Sequence, residues 1–196
     1  MTRFITSLAL GLGLTASAAS AATITALNDT SLVIAAPGSV TDDSVGDNET
    51  VFAFAEATRV VLTSDLAVAG GTIAAGTAVD SHMIFLNRAD PDRIRASVDY
   101  AFGFSTDILG VITSTSAVRA TNDLLGAVGT TYGLLNGFER SDTLSVMSNS
   151  VSGNLIVTQP GDWFRVVTVA EVPVPAAGFM LLAGLGAMAA ARRGRR

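Results

Sequence analysis

Ile94-Arg-Ala-Ser-Val-Asp-Tyr-Ala-Phe-Gly-Phe104 decides the fold class. In an extended chain Ile94, Ala96, Val98, Tyr100, Phe102 and Phe104 fall on one face, and Arg95, Ser97 and Asp99 on the other. Successive Cβ atoms of a strand point to opposite sides, so this alternation predicts a half-buried strand with one solvated face. A helix would scatter the same residues around its circumference.

Working outward, Val51–Ala55, Arg59–Thr63, Met83–Leu86, Ile108–Ile112, Leu155–Thr158 and Phe164–Val169 are further runs of β-branched and aromatic residues. Turn signals stand between them: Ala69-Gly-Gly71, Asn87-Arg-Ala-Asp-Pro91, Ser152-Gly-Asn154 and Gln159-Pro-Gly-Asp162. Residues 117–126 have room for one short helix, and no sustained helical period occurs elsewhere. The polar stretch Pro37–Asn48 reads as a surface loop, and the glycines at 126, 129 and 133 read as turns. Many short strands with Gly and Asp turns predict an all-β chain, an antiparallel β-sandwich of jelly-roll type.

The 196-residue chain has no cysteine, which excludes disulfides, thiolate metal sites and a thiol nucleophile. All 17 acidic residues lie between Asp29 and Glu171, and every basic residue is arginine. Seven arginines fall in that span, so it carries a net charge of about −10 with His82 neutral. Such a balance argues against nucleic acid and anionic membrane surfaces as partners.

The two ends read as addresses. Met1-Thr-Arg3, an apolar stretch from Phe4 to Leu14 and the small residues to Ala22 match a secretory signal peptide. Ala19-Ser-Ala21 supplies the small side chains that signal peptidase requires, placing the cut after Ala21. The apolar run is too short for a permanent anchor. At the other end, Val172-Pro-Val-Pro-Ala176 precedes an apolar run from Ala177 to Ala191 and then Arg192-Arg-Gly-Arg-Arg196. The run is about fifteen residues, near 22 Å of helix, and the preceding residues bring it toward the ~20 needed to span a bilayer. The terminal arginines stay on the cytoplasmic side and the bulk of the chain lies outside. A tail anchor that is never processed is the alternative. The expected organisation is a signal peptide over 1–21, a β-domain over 22–171 and a transmembrane sorting tail over 172–196.

The motif Val172, Pro173, Val174, Pro175, Ala176, with its glycine-spaced apolar run and arginine end, resembles the PEP-CTERM sorting domain in its Val-Pro-Leu-Pro-Ala variant. Val174 stands where that pattern usually has Leu. The resemblance covers about the last 25 residues and implies recognition by an exosortase, a membrane protease that cuts near the motif. The Leu-Pro-x-Thr-Gly signal of Gram-positive sortases is absent. Gly76–His82, Asp107–Val111, Gly126–Tyr132 and Arg165–Thr168 resemble a set of exported bacterial proteins carrying the same kind of tail. That likeness implies architecture and export, not a reaction.

Candidate chemistry is sparse. Asp80, Ser81 and His82 are the residue types of a hydrolase triad, but strand neighbours point to opposite faces and cannot form its hydrogen-bond chain. A surface or turn histidine is the expectation for His82, and no catalytic residue is assigned. A single histidine without thiolates excludes a usual zinc set. Asp42, Asp43, Asp47 and Glu49 gather oxygen ligands in one loop and are weak calcium candidates, without EF-hand spacing. A solvated acidic loop is the plainer reading, and no cofactor is required. Trp163, at a strand start, is the ring most available for stacking on a sugar, whereas Tyr100 belongs to the apolar face.

These readings predict an exported, exosortase-sorted surface or matrix protein without catalytic activity, associated with biofilm exopolysaccharide. The alternative is a lectin-like carbohydrate-binding module, with calcium as its possible cofactor. A secreted hydrolase relying on His82 is the third reading.

Overall fold

A computed structural model describes residues 22–88 and 95–171. Both terminal segments, and with them Ala21, the motif Val172–Ala176 and the apolar run behind it, lie outside the described residues. The described chain is all-β. Its strands are β1 (Ile24–Ala26), β2 (Ser31–Val33), β3 (Ser39–Val40), β4 (Val51–Ala55), β5 (Val60–Val61), β6 (Leu66–Val68), β7 (Gly71–Ile73), β8 (Ala78–Leu86), β9 (Ala96–Phe104), β10 (Ile108–Ile112), β11 (Thr131–Tyr132), β12 (Thr143–Met147), β13 (Ser150–Val157) and β14 (Asp162–Val169). Two short helices, α1 (Thr115–Ala120) and α2 (Asn122–Leu125), fall between β10 and β11. Neither they nor any other helix among the described residues is long and apolar enough to cross a membrane.

The strands form two main sheets. One has the order β10-β14-β8-β4-β2, with β5 also paired to β8; the other has the order β1-β9-β13-β12. Pairing is antiparallel throughout both except between β2 and β4. The small pair β3–β11 is parallel too. The expectation of a purely antiparallel chain is corrected at these two places.

The quoted alternation is realised in β9. Val98, Tyr100, Phe102 and Phe104 are buried, while Ser97 and Asp99 are exposed. Ile94 lies outside the described residues. The buried side chains of β9 meet Val151, Leu155 and Val157 of β13 and, from the other sheet, Ala53, Ile84, Leu86, Phe164 and Val166. Tyr100 and Phe164 bring one ring from each sheet to 5.4 Å between centroids, a contact worth about 0.5–1.5 kcal/mol beyond its buried area. The two sheets therefore share one apolar interior.

The larger sheet is buried on its other face as well. Val79, Met83 and Phe85 of β8, Trp163 and Val167 of β14 and Phe54 of β4 pack there against Leu62, Leu66, Ile73, Val118, Leu125 and Leu135. Loops, the β6–β7 hairpin and the helices form this cover. β8 thus has an apolar layer on each side, and eight of its nine residues are buried. That explains why its sequence does not alternate.

Ser152-Gly-Asn154, expected as a turn, lies inside β13 opposite Ala101, Tyr100 and Asp99. Gly153 is required there because a Cβ would collide with the Thr143 carbonyl and come within 2.8 Å of the Tyr100 hydroxyl. That hydroxyl donates to the Thr143 carbonyl at 3.0 Å. The glycine makes room for a cross-strand bond rather than for a turn. The polar stretch Pro37–Asn48 also departs from a plain loop, since Ser39–Val40 pairs with Thr131–Tyr132. The helical stretch anticipated over 117–126 divides into α1 and α2, with Ser114 Oγ capping the first by accepting from the Ala117 amide.

Candidate functional site

Three polar groupings stand out: two buried on opposite faces of the larger sheet, and one in a surface cleft. On the loop-covered face, Arg165 projects from β14 among apolar neighbours. Its Nε donates to Glu56 Oε2 at 2.6 Å and its Nη2 to Glu56 Oε1 at 2.8 Å. Both side chains are fully buried. Nη1 donates to the Val118 carbonyl and to Thr121 Oγ1, and Nη2 also donates to Asn122 Oδ1. Every N–H of the guanidinium is thereby engaged. Glu56 further accepts from the Ser81 hydroxyl at 2.8 Å and the Tyr132 hydroxyl at 2.7 Å. Tyr132 in turn accepts from the Ala127 amide at 2.7 Å.

Burial, reinforced by the charge of Glu56, raises the Tyr132 phenol above its ordinary range. With both charges shielded and all donors satisfied, the cluster offers no group to a substrate. It binds α1, α2 and β11 to the central strands. The sequence signal was there in Phe164-Arg-Val-Val167, an arginine flanked by apolar residues inside a strand, but its partner Glu56 is 109 residues away.

The other face holds Asp80, His82 and Thr168. His82 is fully buried, which corrects the expectation of a surface or turn position. β8 is a central strand, so a polar side chain on it meets the opposite sheet rather than water. His82 Nε2 lies 3.1 Å from Thr168 Oγ1, the Phe104 ring packs at 5.0 Å, and Nδ1 has no partner. Burial pushes its pKa down to about 4, against an opposing pull from Asp80. The ring is therefore neutral at pH 7. Ser81 points to the opposite face, toward Glu56. Asp80 is also fully buried, and its oxygens accept from the Ala22, Arg59 and Glu171 amides. The three consecutive residues do not act together, in keeping with the alternation of a strand.

Two of the calcium candidates are anchored on one residue, since the Asp43 amide donates to Asn87 Oδ1 and the Asp47 amide to the Asn87 carbonyl. Asp43, at φ +60°, accepts from Gln159 Nε2. Asp47 accepts from the Glu49 amide and the Thr50 hydroxyl. Burial and then the charge of Asp43 raise the Asp42 pKa. Among the described residues no group of three or more His, Cys, Asp or Glu side chains is placed to hold a metal ion. Trp163, expected as an available ring, is fully buried against Tyr132 at 6.2 Å between centroids. In the turn before it, Gly161 takes φ +95° and packs so close to the Leu86 carbonyl that a Cβ would collide with it.

The surface grouping is a cleft of about 520 Å³ where the β1–β2 turn, the loop before β4 and the start of β9 converge. Asn28, Asp29, Thr30, Asn48, Glu49, Ser97 and Asp99 line it. Asn28 Oδ1 is buried without a hydrogen-bond partner, and Asn48 accepts from Arg88 Nε at 3.3 Å. Amides, hydroxyls and carboxylates at this density suit a polyhydroxylated ligand. The alternation of β9 revealed Ser97 and Asp99 as solvent-facing, but gave no sign that residues from three segments meet.

No family model, no curated protein and no solved structure matches this chain.

Proposed function

We propose that this chain is an exported surface or extracellular-matrix protein, sorted through its C-terminal tail by an exosortase-type membrane protease and serving a structural role without catalysis. The observation that carries this reading is the sequence Val172-Pro-Val-Pro-Ala176, its apolar run and its four terminal arginines. Such a segment parks in a bilayer with the acidic β-domain outside. The likeness to the PEP-CTERM tail gives the same assignment, and the signal-peptide pattern at the N-terminus agrees with it. The burial of His82 and Asp80 supports a non-catalytic domain, because neither presents its proton-transfer atoms to solvent.

We read the two sheets as a jelly-roll-like sandwich. The adjacencies β8-β14-β10 in one sheet and β9-β13-β12 in the other are those of nested Greek keys. Mass spectrometry of the protein from its native cell tests the sorting claim. Loss of the tail beyond the motif is expected, and an intact tail in a host with an active exosortase would refute it.

The cleft around Asn28 and Asp99 favours a second reading, a lectin-like module for exopolysaccharide. A glycan array with and without chelator tests this and any calcium dependence together. Failure to retain any polysaccharide removes it.

A further inference from the structure

Asp80 receives three backbone N–H groups from widely separated parts of the chain. The nitrogen of Ala22 donates to Oδ2 at 2.8 Å, that of Arg59 to Oδ1 at 2.7 Å and that of Glu171 to Oδ2 at 3.4 Å. The carboxylate is fully buried and has no side-chain cation beside it, since the ion pair found among the described residues is Arg165–Glu56 on the opposite face. His82, two positions along on the same face, is held by Thr168. A buried carboxylate without a counter-charge is costly, and proteins ordinarily pair one. Ala22 is itself only 2 % exposed. It is also the residue that the expected cut after Ala21 would leave first in the mature chain.

We propose that Asp80 is a receptor for the α-ammonium group that signal-peptide removal creates on Ala22. The inference rests on the export reading above. In the cut, water adds across the Ala21–Ala22 peptide bond. The hydroxyl goes to the Ala21 carbonyl and a proton to the Ala22 nitrogen. At neutral pH the new carboxyl group releases a proton and the new amine binds one. The nitrogen that already lies 2.8 Å from Asp80 thereby becomes a cation. Processing supplies the counter-charge that Asp80 lacks among the described residues, so the fully stabilised fold belongs to the processed form. The geometry also fixes the cut to one residue. A shift of one position displaces the terminus by about 3.3 Å, beyond the reach of this carboxylate. Through Glu171 the same side chain holds the residue preceding the sorting motif, so the two borders of the domain meet at Asp80.

The chain contains no lysine, so the mature protein has one primary amine, its N-terminus. Protein purified from exporting cells is first analysed by mass spectrometry and then treated with an acetylating reagent, both native and in denaturant. The expected terminus is Ala22, acetylated about tenfold or more slowly in the native state, as a group reached only by opening would be. Asp80→Asn should bring native acetylation near the denatured rate. Acetylating the wild type in denaturant and refolding it should lower its Tm. Equal native and denatured rates in the wild type overturn the proposal without recourse to any variant. Cleavage at another residue overturns it while leaving export intact, whereas an uncut N-terminus defeats the export reading as well.

Discussion

Glu56→Gln is the most discriminating perturbation of the fold. It keeps the shape of the side chain and removes its charge. Arg165 then keeps a buried positive charge whose Nε and Nη2 donors lie 2.6 and 2.8 Å from the former carboxylate oxygens. The glutamine oxygen can replace one acceptor, but its NH₂ turns a donor toward the other N–H. Removing one member of a buried ion pair costs about 3–5 kcal/mol. An independent figure is the attraction lost between unit charges about 4 Å apart at an effective dielectric constant near 20, also about 4 kcal/mol. For a domain of ~150 residues, where each kcal/mol shifts Tm by about 2–4 °C, the expected fall is about 6–20 °C. Urea unfolding followed by the fluorescence of Trp163, the sole and fully buried tryptophan, reads this directly. Glu56→Gln combined with Arg165→Met should recover part of the loss, because no unpaired charge remains. Recovery stays incomplete, since the Val118 carbonyl, Thr121 and Asn122 lose their donor. A Glu56→Gln variant within about 1 kcal/mol of the wild type would refute the reasoning, as would a double variant less stable than the two single losses combined.

Two buried groups give opposite pH dependences. His82 has its pKa depressed from 6.5 to about 4 in the fold. The unfolded chain binds that proton first, so stability falls as pH drops from about 6.5 to 4, by on the order of 3 kcal/mol. His82→Gln should flatten this limb, and an NMR titration of the single histidine should show no transition near 6.5. Asp162 behaves inversely: burial first, then Asp142 and Glu139, raise its pKa from 3.8 to about 8. The folded state keeps a proton that the unfolded state releases, so stability falls as pH rises from about 4 to 8. Asp162→Asn should therefore raise Tm at pH 8 more than at pH 4, as differential scanning calorimetry would show. Gly153→Ala should cost about 2 kcal/mol or more through the collision with the Thr143 carbonyl, and loosen β12 in hydrogen exchange.

Alternation was legible where a strand buries a single face. β9 has one, and its alternation could be read directly from Val98 to Phe104. The apolar runs of β4 and β10 coincide with their strands, Val51–Ala55 and Ile108–Ile112. β8 is covered on both sides, and its His82 read as a surface or turn residue because periodicity says nothing about what lies beyond each face. Trp163 misled for the same reason: a turn precedes it, but the loop layer closes over it. Gly153 looked like a turn because glycine's absence of a side chain serves turns and close strand contacts alike. The polar groupings were the least legible of all. Glu56 and Arg165, or Asp80 and Glu171, are joined by topology across 109 and 91 residues, and no local pattern encodes such distances.

The polar residues inside β8 answer a difficulty created by its burial. In a strand with one solvated face, slipping by one residue exposes the whole apolar set, so hydrophobicity enforces the register. β8 has apolar layers on both sides, and a slip merely exchanges Ile84 and Leu86 for Met83 and Phe85. Apolar burial then discriminates weakly. The triplet Asp80-Ser-His82 discriminates strongly, because each member has a fixed partner on its own face: backbone amides for Asp80, Glu56 for Ser81 and Thr168 for His82. A slip by one toward the Ser81 position would set the Asp80 carboxylate against Glu56, two like charges in a dry interior. It would also leave the Ala22, Arg59 and Glu171 amides without their acceptor. Buried polar groups add little net stability over an apolar core. In a chain with no cysteine to staple it, their use here is to make the wrong alignment of the central strand far more costly than the right one.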